Sequence, residues 1–183
     1  MIRRTTDLTP GARDAFDAII DVRSPAEFAL DHLPGALNLP VLDDAQRAAV
    51  GTEYVQGSKF LARRTGAAMV ARNIATHLEG ALGGRDGSFR PLVYCWRGGQ
   101  RSGAMVTVMD QVGWPVRVLD GGYQTWRRQV TAALYDTPLA LRPILLDGPT
   151  GAGKTALLSA LAVRGVQTLD LEALAAHRGS LFG

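Results

Sequence analysis

The chain's single cysteine, Cys95, stands where a reactive thiolate would be built. The apolar run Leu92-Val93-Tyr94 reads as a short buried strand. Cys95-Trp96-Arg97-Gly98-Gly99-Gln100-Arg101-Ser102 follows, and then an apolar stretch, 104–112, of helical character. A strand, a glycine-rich loop and a helix start form an anion cradle. The backbone N–H groups of such a loop point inward, and the helix N-terminus adds partial positive charge. Arg97 and Arg101 add full charges. Together these favour thiolate over thiol, so Cys95 is expected to titrate below the ordinary value of about 8.5. The alternative is an inert core cysteine. Flanking arginines and paired glycines do not suit one.

A second constellation lies further along. Gly148-Pro149-Thr150-Gly151-Ala152-Gly153-Lys154-Thr155 fits G-x-x-x-x-G-K-[ST] at every defined position. Gly148, Gly151 and Gly153 would let backbone amides close around phosphate oxygens. Lys154 would reach the terminal phosphates, and Thr155 would hold a magnesium ion. Ile144–Leu146 reads as the preceding strand, and residues 156–161 continue as a helix. Gln167–Asp170 offers one more strand. A sheet of parallel strands with crossover helices needs more chain than the 28 residues after Thr155. The unit therefore reads as cut short. Asp170 is expected to be an ordinary strand-end aspartate rather than a metal-bridging acid.

The elements that must position these loops alternate. Residues 18–22 read as a strand, and Ser24-Pro25-Ala26-Glu27 as a helix start with Ser24 at the cap and Glu27 at its third position. His32–Pro40 is a turn leading into an extended segment. A long, largely helical stretch runs over about 41–82, and Gly83–Ser88 is a loop. Val116–Leu119 reads as a strand stopped by Asp120-Gly121-Gly122, and Tyr123–Leu134 as a helix. This alternation predicts an α/β fold: a parallel sheet flanked by helices over residues 1–136, with the beginning of a phosphate-loop α/β unit over 140–183. Tyr135–Pro138 is the expected linker.

Composition bounds the rest. With 46% hydrophobic residues the chain can bury a core. No apolar run reaches membrane-spanning length, and residues 1–7 lack the apolar stretch of a secretory signal. One cysteine excludes an intrachain disulfide and a multi-cysteine metal site. No metal centre is expected, and a free reactive thiol suits the cytoplasm. The net charge of +3 permits an anionic partner. Arg63, Arg64 and Arg72, with Arg127 and Arg128, are candidates for nucleic-acid contacts or for solvated helix faces. Asp21 and Arg23 read as a structural ion pair. His32 reads as structural, and His77 has no partner at metal spacing. Trp96 either stacks over the site or is exposed. His177, beside Arg178, is a candidate anion contact.

Four pieces in order, Asp21-Val22-Arg23-Ser24-Pro25-Ala26-Glu27-Phe28, His32-Leu33-Pro34-Gly35-Ala36, the Cys95 loop, and Gly121-Gly122-Tyr123-x-x-Trp126-Arg127, resemble a rhodanese domain. The segment Asn38–Tyr54, with Ala62-Arg63-Arg64 and Ala71–Ala75 behind it, is an insertion that ordinary rhodaneses lack. It resembles the one in tRNA 2-selenouridine synthases, which also carry Cys-x-Arg-Gly-Gly-x-Arg-Ser and a phosphate-loop domain. The stretch Leu169–Ser180 is similar to that domain's continuation. Gln46 departs from the pattern, where a glutamate is expected.

The resemblance implies an enzyme that replaces the sulfur of wobble 2-thiouridine in tRNA with selenium from selenophosphate. It also implies geranylation of that sulfur from geranyl diphosphate as an intermediate step. By the same resemblance, Cys95 is the essential residue. Selenophosphate, or a persulfide or selenide formed on Cys95, would occupy the Trp96–Arg101 cradle. Gly148–Thr155 would hold a nucleotide, with magnesium, or the diphosphate of the geranyl donor. No tightly bound cofactor is expected. Three alternatives stay open: a sulfurtransferase carrying a persulfide, a cysteine phosphatase, and a non-catalytic nucleotide-binding module. Cys95-x5-Arg101-Ser102 matches phosphatase spacing, and common single-domain rhodaneses are one residue tighter. Tyr94, however, stands where phosphatases usually place histidine, and no acidic loop supplies a general acid.

Overall fold

The structure is a computed structural model that describes residues 2–136 and 142–176. The chain divides into two units, residues 1–138 and 139–183. In the first, strands β1 (Arg3–Thr5), β2 (Ala18–Asp21), β3 (Leu37–Asn38), β4 (Pro91–Tyr94) and β5 (Arg117–Leu119) form one sheet. Its order is β1-β5-β4-β2-β3, and every pairing is parallel. Helices α1 (Pro10–Arg13), α2 (Pro25–Leu30), α3 (Asp44–Gln56), α4 (Lys59–Glu79), α5 (Gln100–Val112) and α6 (Tyr123–Thr131) complete the unit. The α/β class and the parallel sheet are as the alternation predicts.

The central strand β4 is buried along its whole length. Side chains alternate across a sheet with period two. Leu92 and Tyr94 therefore join one core with Leu33, Leu119 and Tyr123. Val93 and Cys95 join the other, with Met105, Val106 and Met109 of α5. The alternation that packs the core thus also aims Cys95 at α5. Two helices, α3 and α4, occupy the segment expected to be an insertion, broken at Gly57-Ser58. Ser58 caps α4 by accepting from Leu61 N–H at 3.3 Å. At the close approach of α3 and α4, Val50 lies where a Cβ on Gly66 would point. Gln46, at the position where a glutamate was expected, is put to use. Its Oε1 accepts from Asp43 N–H at 3.1 Å and from Asn73 Nδ2 at 2.7 Å.

Several boundaries differ from the sequence expectations. Strand β1 was not foreseen, because Arg-Arg-Thr carries no apolar alternation; it is held by pairing with β5. Helix α5 starts at Gln100, inside the expected loop. Tyr135 and Asp136, expected in a linker, belong to a π-helical turn, Ala132–Asp136. Thr137 and Pro138 lie outside the described residues, as do His177, Arg178 and Ser180.

In the second unit, helix α7 (Lys154–Val163) and helix α8 (Leu171–Leu174) are formed. Neither expected strand is present among the described residues. Ile144 and Leu145 are exposed and outside any strand ladder, and residues 167–170 form no regular element. A strand needs a neighbour for its N–H and C=O groups, and the described residues of this unit offer none. Asp170 instead caps α8, accepting from Ala173 N–H at 2.9 Å.

Candidate active site

Cys95 follows the last residue of β4 and is 4% exposed. Gly99 caps α5, so the first turn of that helix faces the thiol. Ser102, Met105, Val106 and Met109 are the buried residues of α5. They sit at i, i+3, i+4 and i+7, a single helix face. Ser102 is the first member of this stripe, and its Oγ lies 3.2 Å from Cys95 Sγ. The same Oγ is 3.2 Å from the Gly99 carbonyl, to which it donates. A neutral thiol can donate to Ser102 while Ser102 donates to Gly99. A thiolate can only accept, so the Ser102 hydroxyl turns from Gly99 to donate its hydrogen bond to sulfur. Burial pushes the Cys95 thiol up. The Ser102 hydroxyl and the N–H groups of Ser102, Gly99 and Arg97 outweigh it and hold the thiol below its ordinary value.

A second loop presses on the first. Tyr123 N–H donates to the Cys95 carbonyl at 2.8 Å, and Gln124 N–H to the Trp96 carbonyl at 3.3 Å. Gly122 has φ +59°, and a Cβ there would strike the Cys95 carbonyl. Gly98 has φ +67°, and its Cβ would come 2.9 Å from the Leu119 carbonyl. Both positions require glycine, for the backbone angle and for the close approach. The β5–α6 turn thereby fixes the floor of the Cys95 loop.

Beneath lies the Asp21–Arg23 pair, 0% and 1% exposed. The guanidinium meets both carboxylate oxygens, with Nη2 2.7 Å from Oδ2, and also donates to the Asp31 carbonyl at 2.6 Å. Its carbon stands 4.3 Å from the Tyr123 ring centroid. Tyr123 donates its hydroxyl to Asp31, and Trp96 stacks on Tyr123 at 5.3 Å. Trp96 is half-buried. This ion pair is fully partnered, as its structural reading requires.

The arginines of the loop are placed differently from the expectation. Arg97 is exposed and contributes its backbone N–H to Cys95 rather than its charge. Arg101 turns to Glu27 of α2, with Nη1 to Oε2 at 2.5 Å and Nη2 to Oε1 at 3.2 Å. Thiolate stabilisation therefore comes from amides and one hydroxyl, not from guanidinium groups. Burial raises the Glu27 carboxyl, but the Arg101 hydrogen bond and charge, with Ser24 N–H, more than reverse this and hold it ionised. Gly99 and Gln100 are exposed at the mouth. Sequence reasoning missed the roles of Ser102 and Glu27. The helical stripe that begins at Ser102 was a signal for the first. A partner 74 residues away left no signal for the second.

His32 stacks on Phe28 at 3.8 Å, and His77 Nε2 pairs with the Pro40 carbonyl at 2.9 Å. Among the described residues no cluster of three or more His, Cys, Asp or Glu could hold a metal. In the second unit, Gly148, Gly151 and Gly153 all have positive φ, and nothing lies within 4 Å of a Cβ on Gly151 or Gly153. Lys154 Nζ donates to the carbonyls of Gly148 and Pro149 at 2.6 and 3.1 Å. An open, glycine-lined turn with an ammonium folded over it fits a phosphate group.

The rhodanese-like domain family matches residues 10–129, and the tRNA 2-selenouridine synthase AAA domain matches residues 141–183. The chain is 37% identical, over 90% of its length, to the tRNA 2-selenouridine synthase of Nitrosomonas europaea, covering 43% of that protein. To that of Chromohalobacter salexigens it is 38% identical, covering 45%. The chain thus spans less than half the length of these relatives. The N-terminal domain of a Clostridium difficile 630 protein named for ATP/GTP binding is similar in fold. Its TM-score is 0.56 at 29% identity, covering 71% of this chain and 98% of that one. No helix among the described residues is long and apolar enough to cross a membrane.

Proposed function

The chain belongs to the rhodanese-like family, and from that premise we propose that it is the thiolate-bearing part of a tRNA 2-selenouridine synthase. The observation that carries the reading is the pairing, in one chain, of the amide-ringed Cys95 with a phosphate loop in the segment matched by the synthase AAA domain. In this reading the substrate is tRNA with 2-thiouridine at the wobble position, and selenophosphate is the selenium donor. Cys95 is the nucleophile. Its loop holds selenophosphate, or the persulfide that Cys95 forms on taking the outer sulfur of a thiosulfate-type donor as sulfite leaves, against the N–H groups of Arg97, Gly99 and Ser102. Lys154 and Thr155 hold a nucleotide, with magnesium, or the diphosphate of the geranyl donor. The exposed Arg63, Arg64 and Arg72 of α4, with Arg127 and Arg128 of α6, meet tRNA phosphates. A lone nucleophilic thiol acting on tRNA belongs in the reducing cytoplasm.

Glu27 supports this reading over the phosphatase alternative. A phosphatase of this spacing needs its arginine free to clamp phosphate oxygens and an acid to protonate the leaving group. Here Arg101 is engaged, and the nearby carboxyl is held ionised. The test compares Cys95→Ser with the unaltered sequence in a protein of the relatives' full length. Thiolated tRNA, selenophosphate and geranyl diphosphate are supplied, and nucleosides are analysed. The expected result is loss of 2-selenouridine in the variant. Selenouridine that survives the change removes Cys95 from the reaction. Ready persulfide transfer from thiosulfate to small thiols, with no action on thiolated tRNA, makes the protein an ordinary sulfurtransferase. In that chemistry the thiolate attacks the outer sulfur, the new S–S bond forms as the donor's breaks, and sulfite leaves with the electron pair.

A further inference from the structure

Edge strand β1 sets a charge beside one that its neighbour does not offset. Arg3 of β1 and Arg117 of β5 are Cα partners in the parallel ladder. Partnered residues of neighbouring strands put their side chains on the same face, and like charges set across from each other repel. Both arginines are exposed, and among the described residues neither has an ion pair. The Arg117 guanidinium carbon stands 6.0 Å from the centre of the Phe16 ring. A cavity of about 300 Å³ lies here, and Arg3, Asp7, Phe16, Arg90 and Arg117 are among the residues that line it. That volume is at the lower end of the range for small-ligand sites, about 300–1,000 Å³. Arg90 is already bound to Asp17, with Nη2 3.1 Å from Oδ1. Asp7 is the one acidic residue of the lining among the described residues. Its Oδ1 accepts from Thr9 N–H at 2.9 Å and from the Thr9 hydroxyl at 2.8 Å, and its Oδ2 has no partner among the described residues. No residue of the Cys95 loop lines the cavity. Strand β4 carries the chain from Arg90 to Cys95, a span of about 16 Å at about 3.3 Å per residue.

Two guanidinium groups without a counter-charge call for an anion, and their planar donors match phosphate oxygens. The carboxylate of Asp7 repels a bare anion, but it accepts from a ligand that also carries hydroxyl groups. The Phe16 ring adds a flat apolar wall of the kind on which bases stack. A phosphate ester of a sugar that bears a planar base has all three parts. We propose that this cavity binds a nucleoside monophosphate unit, free or as one residue of RNA. Arg3 and Arg117 take the phosphate, Asp7 accepts from a ribose hydroxyl, and Phe16 meets the base.

The probes are uridine monophosphate, uridine, inorganic phosphate and a short oligouridylate, titrated by calorimetry into this chain. Every protein carries Lys154→Ala, which removes the ammonium of the phosphate loop in the second unit. Uridine monophosphate is expected to bind saturably, and more tightly than uridine or phosphate. Arg3→Gln and Arg117→Gln are each expected to weaken it about tenfold, the scale of one charge-assisted contact. Without ligand, both variants should melt no lower than the parent, because each removes a like-charge contact. Asp7→Asn is expected to weaken the nucleotide and to strengthen inorganic phosphate. Tighter binding of the oligouridylate, lost in the same two arginine variants, assigns the site to RNA. Nucleotide binding that the oligouridylate does not displace assigns it to a free nucleotide. A nucleotide that does not bind, or that binds equally well to both arginine variants, overturns the site. If Asp7→Asn changes neither ligand, or if phosphate binds as tightly as the nucleotide, the arginines form a plain anion patch and the nucleotide assignment falls.

Discussion

Cys95 and Ser102 form a two-state donor pair whose setting follows the charge on sulfur. The thiol is held below its ordinary value, so the sign of its linkage is fixed. Its contribution to stability is present above the unfolded value, near pH 8.5, and is lost as pH falls through the folded one. The alkylation rate of the unaltered chain should accordingly reach its plateau at lower pH than that of a free thiol. Ser102→Ala removes a hydrogen bond to a charged group, worth about 1.5–3 kcal/mol. It should slow alkylation near neutral pH by about tenfold and move the midpoint upward. Arg101→Ala should move that midpoint far less, because its guanidinium serves Glu27. A larger effect from Arg101 than from Ser102 would return the stabilisation to the arginines. Asp21 and Arg23 offer a separate test. Asp21→Asn leaves a guanidinium 1% exposed without its counter-charge, and denaturant melts should show a loss of about 3–5 kcal/mol.

The site is made where two turns meet, and only one of them announces itself in the sequence. The β4–α5 loop was legible because glycines and a lone cysteine stand between an apolar strand and an apolar helix. The Ser24–Glu27 helix start was legible from its capping residues, and Asp21–Arg23 from charges at a strand end. The β5–α6 turn was read as a stop and as one piece of the family resemblance, but not as the part whose glycines hold the Cys95 loop in place. Gly122→Ala should therefore act on chemistry at a distance in sequence. Its methyl group meets the Cys95 carbonyl and its φ of +59° disfavours a side chain. The backbone angle alone costs on the order of 1–3 kcal/mol. The variant should lose stability and also lower Cys95 reactivity under conditions where it remains folded. A Gly122→Ala protein with normal alkylation kinetics would separate the two turns. Elements that depend on a distant partner were the ones misread. Strand β1 exists through β5, and among the described residues Ile144–Leu146 has no neighbour that would make it a strand.

At the scale of the whole chain, the two loops lie in separate units, and the first also carries the helix pair α3 and α4, expected as an insertion. The insertion's helices were legible as a block, but their turn at Gly57-Ser58 was not, because the pattern stays helical across it. That turn presents Tyr54, Val55 and Phe60 at the surface, with Lys59 and Arg63 close to the Tyr54 ring. Arg64 is exposed beside them. If the proposed tRNA reading holds, α4 supplies phosphate contacts and little base selection, since phosphate contacts position rather than specify. Reversing Arg63 and Arg64 together to glutamate should weaken tRNA binding, thiolated and unthiolated alike. The salt dependence gives the sharper measurement. Every arginine that no longer neutralises a phosphate should lower the slope of log affinity against log salt by about 0.7–0.9. The double reversal should then reduce the slope by about one to two, while leaving the alkylation midpoint of Cys95 in place. An unchanged slope would move the tRNA footprint off α4. A changed preference for the thiolated base would instead bring α4 to the base itself.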